Sequence, residues 1–84
     1  MAATVTFGAA AAAHAADGVL IIDGSAHRNP HGCFPLGDYV ASTVVNKTDT
    51  DVKVWSDYGC KGRAAGLIRP GETTHPRGRS ISID

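Results

Sequence analysis

Residues Val52 to Gly62 read VKVWSDYGCKG, and the reading of this stretch decides the fold. Val52 and Val54 alternate with Lys53, the period-two pattern of a strand that buries one face. Asp57, Tyr58 and Gly59 then break the pattern with residue types that favour a turn. Cys60 and Gly62 follow at once. An aspartate, a cysteine and aromatics in so short a span are also raw material for a catalytic or metal site, so the choice between chemistry and fold rests on the surrounding chain.

At 84 residues the chain holds one domain, near the size at which a hydrophobic core alone gives marginal stability. Strand signals dominate it after Asp17. GVLIID (18–23) is a β-branched run bounded by glycines, YVASTVVN (39–46) alternates in part, and SISID (80–84) alternates cleanly. A weaker strand lies around AAGLIRPGE (64–72), closed by a turn at Pro70-Gly71. GSAHRNPHGCFPLGD (24–38) carries two prolines and several turn formers and reads as a loop pinned by Cys33. No helical pattern follows Asp17. The expected class is all-β, a small antiparallel Greek-key sandwich or barrel over residues 17–84.

Residues 1–16 read differently. MAATVTFGAAAAAHAADG is apolar and alanine-rich, and Ala13-His14-Ala15 fits the small-x-small pattern of signal peptidase sites. No Lys or Arg precedes Arg28, so the basic start of a secretory signal is missing; a true start upstream of Met1 would explain that. A weak alanine-rich helix is the rival reading, and the run is too short to span a bilayer. Export makes sense of the two cysteines, since an even count in a small exported chain reads as one disulfide, Cys33 to Cys60. Two buried reduced thiols are the alternative.

The chain also echoes itself. VASTVVN (40–46) and GRSISID (78–84) align with Ser42 over Ser80, which divides the domain into units of residues 17–47 and 48–84. In the second unit Trp55, Cys60, Gly62 and Ser80 stand in the order aromatic, bulky residue, glycine, distant serine. That pattern resembles the folded hairpin of the βγ-crystallin Greek key, with cysteine in the second bulky position. The chain from Cys33 onward is also similar to small secreted actinomycete proteins grouped with a metalloproteinase-inhibitor family, and to βγ-crystallin-like plant antimicrobial proteins. The resemblance implies a tryptophan covering the hairpin, a glycine in a conformation closed to other residues, and a serine bonded to the folded-over backbone. Calcium-binding members carry paired Asn or Asp before the serine. Here PRGR and DYVA stand there, so no calcium site is expected.

Other constellations are thinner. His27, His31 and Cys33 are metal-ligand types close in sequence, with His75 as a further donor, but Pro30 removes the helix that would align the histidines. Ser80 and His75 could be drawn as a nucleophile and base, without a nucleophile elbow to support them. Asn46-Lys47-Thr48 fits a glycosylation sequon, and turn chemistry also explains it. The formal net charge is zero, yet from Lys61 onward Lys61, Arg63, Arg69, Arg77 and Arg79 face only Glu72 and Asp84, so this end is basic. Tyr58, Lys61, Arg63, Arg77 and Arg79 form a candidate binding surface. Aromatics and cations are too few for a nucleic-acid face.

The expectation is therefore a secreted, monomeric, non-enzymatic binding protein without cofactor or membrane span. Its partner is an extracellular protein or an anionic cell-envelope surface. Antimicrobial or toxin-like action, inhibition of an extracellular peptidase, and a structural coat or matrix role are the three functional readings.

Overall fold

The computed structural model describes residues 15–37 and 41–84, so most of the alanine-rich segment and Asp38, Tyr39 and Val40 lie outside the described residues. The described chain is all-β: β1 (Gly18–Ile22), β2 (Ser25–Arg28), β3 (Gly32–Pro35), β4 (Val44–Thr48), β5 (Val52–Asp57), β6 (Lys61–Ile68), β7 (Thr73–Thr74) and β8 (Ser80–Ile83). They form two four-stranded antiparallel sheets, ordered β2-β1-β4-β7 and β3-β8-β5-β6. Each half of the chain thus keeps its first, second and fourth strands together and gives its third to the other sheet. In both halves the fourth strand returns beside the first, as in a Greek key.

The core follows from the alternation. Leu20, Ile22 and Val44 from the first sheet meet Val52, Val54, Ile68, Ile81 and Ile83 from the second. Phe34 packs partly against them. Ala16 is buried as well and its N–H donates to Pro30 O at 3.2 Å, so the packed domain begins one residue earlier than the composition change suggests.

The predicted loop at 24–38 holds two strands among its described residues. β2 and β3 are outer strands with mostly exposed side chains, and an edge tolerates Ser, His, Arg and Pro that a central strand would not. The strand expected over 39–46 starts only at Val44 and runs to Thr48. β6 is longer than its weak pattern suggests, and Arg69 to Glu72 turns after it, with Glu72 N–H donating to Arg69 O at 3.0 Å.

The repeat is real in topology and shifted in register. Ile22 pairs with Val44 and Val54 pairs with Ile81, and all four point inward. This equates Thr43, not Ser42, with Ser80. A one-residue slip exchanges the faces of a strand, and the Ser42 alignment would have set buried Val44 against outward Ser82. Ser42 is buried, and its Oγ accepts the Gly37 N–H at 2.9 Å.

Asn46 is also not in a turn. It is fully buried in β4, where Nδ2 donates to the carbonyls of Thr50 (2.9 Å) and Ile68 (3.0 Å) and Oδ1 accepts the Thr48 N–H (3.0 Å). Every polar atom of the amide has a partner, which is the condition for tolerating it in a core.

Candidate functional site

The β5–β6 hairpin ends in Tyr58, Gly59 and Cys60. Gly59 and Cys60 both have positive φ, 68° and 58°, which folds the turn back over its own strands. The register of β5 on β6 slips twice near Trp55, so the hairpin is bulged as well as folded. Ser80 at the start of β8 holds it. Its fully buried Oγ accepts the Cys60 N–H at 2.8 Å and donates to Asp57 O. Gly62 has φ 84°, and a Cβ there would lie 2.7 Å from Asp57 Oδ2 and closer still to Ser56 Oγ. The spacing of Cys60, Gly62 and Ser80 thus reflects a hairpin that needs all three.

Cys60 also forms a disulfide with Cys33 of β3, with Cα atoms 6.0 Å apart and the two cysteines 27 positions apart in sequence. This ties the hairpin of the second half to the exchanged strand of the first. On the chain-entropy model such a loop stabilises by about 3.5 kcal/mol.

Trp55 does not cover the hairpin. It is half-buried on the outer face of the second sheet, and its Nε1 donates to Ser82 Oγ at 2.9 Å. Trp55 is paired with Ser80 and Lys53 with Ser82, so the indole leans along β8 away from the turn. Its neighbour on that face is Lys53, with Nζ 5.8 Å from the ring centroid. Sequence reasoning passed over Lys53, although the alternation that turns Val52 and Val54 inward turns Lys53 and Trp55 outward together.

The pairing does gather the candidate binding residues. Asp57 opposite Lys61 closes the hairpin, Arg63 N–H donates to Ser56 Oγ at 2.8 Å, and Arg79 N–H donates to Trp55 O at 3.0 Å. Tyr58 is 53% exposed at the tip, and the Arg79 guanidinium both lies 5.1 Å from its ring centroid and donates to its hydroxyl at 2.8 Å. Tyr58, Lys61, Arg63 and Arg79 are exposed at this one end of the second sheet, with Asp57 as the acidic residue among them, and Arg77 is exposed in the β7–β8 connection two residues before Arg79.

The other candidates separate. Cys33 is committed to the disulfide, the His27 ring packs at 4.9 Å on Phe34, and His75 Nδ1 lies 3.2 Å from Thr43 Oγ1. Among the described residues, no three His, Cys, Asp or Glu side chains converge to hold a metal ion. Ser80, closed in under the hairpin, is occupied by Asp57 and Cys60 rather than by His75. No helix among the described residues is long and apolar enough to cross a membrane.

These features define a small two-sheet antiparallel β sandwich stapled by one disulfide, with a basic, aromatic-tipped end. No protein-family model, curated protein or solved structure matches the chain.

Proposed function

We propose that the chain is a secreted, monomeric, non-enzymatic binding protein of βγ-crystallin-like type that docks through its basic end on an anionic cell-envelope surface. The observation that carries this reading is the Arg79 guanidinium lying on exposed Tyr58 at the tip of a hairpin whose next strand opens with the exposed cations Lys61 and Arg63. Each cation held near an anionic surface contributes about 1 kcal/mol, and tyrosine offers an amphipathic ring suited to an interface. The family reading draws support from the exchange of β3 and β7 and from the hairpin held by Ser80. Export draws support from the disulfide, since such bonds persist in oxidising compartments. Cleavage after Ala15 would leave Ala16, whose side chain enters the core, as the first residue.

Sedimentation with phosphatidylglycerol vesicles tests the docking. Binding is expected at about 50 mM salt and is lost at about 500 mM, where screening shortens the reach of exposed charges. The variant Lys61→Glu with Arg63→Glu and Arg77→Glu leaves the Arg79–Tyr58 contact in place and should abolish binding. Equal sedimentation with neutral vesicles, or an unaffected variant, would reject this reading. Intact mass of protein from the culture medium checks the expected start at Ala16.

Peptidase inhibition is the second reading. It is favoured by the rigidity of the Tyr58 turn, which is braced by Cys60 and Ser80 and so loses little freedom on binding. An inhibitor would titrate a peptidase stoichiometrically, irrespective of salt.

A further inference from the structure

The basic end occupies one end of the second sheet. At the other, on its outer face, lies an open groove of about 400 Å³ lined by Asp51, Lys53, Trp55, Leu67, Ser82 and Asp84. We infer that this groove is a binding subsite for a neutral hexopyranose unit, with Trp55 as its platform.

The argument begins with the indole. A tryptophan on an outer sheet face ordinarily has freedom at both side-chain torsions, but the bond from Nε1 to Ser82 Oγ at 2.9 Å lays this ring from β5 across to β8. Its orientation is therefore set before any ligand arrives, which lowers the ordering cost of binding. The ring face carries the negative part of the aromatic quadrupole and attracts the weakly positive C–H groups of a sugar ring. Leu67, 49% exposed on the adjacent strand, extends the apolar floor.

The rim selects among ligands. Asp51 and Asp84 offer only acceptors and Lys53 only donors. A sugar hydroxyl donates and accepts at once, so neighbouring hydroxyls of one ring can satisfy both kinds of group with charge-assisted bonds. An anionic ligand would face two carboxylates. A cationic one would compete with the Lys53 ammonium, already 5.8 Å from the ring centroid. A neutral polyhydroxylated ring with one C–H face meets no charge repulsion, and as the Lys53 side chain swings from over the indole its ammonium donates to the sugar hydroxyls instead. The volume lies toward the small end of ligand clefts, suited to one or two such rings.

Trp55 is the only tryptophan, so its fluorescence reports this groove alone. The protein is titrated with maltotriose, cellotriose and chitotriose, each to about 10 mM, well above a millimolar dissociation constant. At least one should change the emission saturably. Asp51→Asn combined with Lys53→Ala, both exposed positions whose loss leaves the core untouched, should weaken that sugar by about tenfold or more, while Arg77→Glu should leave it unchanged. No saturable change with any of the three sugars would overturn the inference. So would a change indifferent to the Asp51 and Lys53 substitutions. Vesicle binding by the basic end is read separately, so either proposal can fail alone.

Discussion

The hairpins β1–β2 and β5–β6 hold equivalent places in the two halves, and they are closed by opposite means. The first has a two-residue turn, Asp23-Gly24, with φ of 49° and 86°, between the paired residues Ile22 and Ser25. Both values are left-handed, as in the turns that match the natural twist of a hairpin. The turn geometry is set by these two residues, and Asp23 then ties it to the chain before β4, its N–H donating to Thr43 O and its Oδ1 accepting the Thr43 N–H, each at 2.9 Å and 20 residues away. The second hairpin has a longer, bulged and folded turn that depends on Ser80 and Cys33, 20 and 27 residues from Cys60. A turn whose own two residues set its geometry can be built locally, before Thr43 reaches it. One that borrows distant groups waits for the whole sandwich, and in return it projects Tyr58 and the cations beside it.

That contrast can be tested by substitution. The largest effect is expected for Cys33→Ser combined with Cys60→Ser, about 3.5 kcal/mol of stability in urea unfolding. Amide exchange should then quicken in β5–β6 far more than in β1–β2. Equal quickening in the two hairpins would mean that the asymmetry is only one of shape. Gly62→Ala comes next, at about 3 kcal/mol, because it combines left-handed strain with the approach to Asp57 and Ser56. Ser80→Ala should cost about 2 kcal/mol by leaving the Cys60 N–H and Asp57 O without their buried partner. Gly24→Ala is the control. Its φ is as left-handed as that of Gly62, but a Cβ there meets nothing within 4 Å, so about 1 kcal/mol is expected from the backbone alone. If thermal melts give Gly24→Ala and Gly62→Ala equal losses, crowding contributes nothing to the second hairpin.

The same contrast explains what was legible in the sequence. β5 and β8 announce themselves because each buries one face and alternates accordingly, and β1 because it is a short apolar run bounded by glycines. The disulfide is legible from cysteine number and chain size. β2 and β3 are not, since edge strands with exposed side chains carry a loop-like composition. A better signal was present in Asp23-Gly24 directly after an apolar run, a strong local mark of a hairpin that forces a strand to follow. The Ser42 alignment failed because Ser42 and Thr43 are adjacent hydroxyl residues, and only the pairing of Ile22 with Val44 shows which one matches Ser80. In the candidate site, the basic residues were visible as composition, but their gathering depends on β8 lying beside β5. Trp55 was noticed, and its position could not be read without knowing that Ser82 would take its N–H.

The exchanged strands bear on how this protein would respond to a protease. β4 ends at Thr48 and β5 begins at Val52, so a single cut between them separates the chain into its two halves. Each fragment would still contribute a strand to the sheet of the other, and Cys33 and Cys60 would lie on different fragments. The nicked molecule would remain one particle, indistinguishable in size from the intact one under native conditions, and would come apart on a denaturing gel only after a reductant is added.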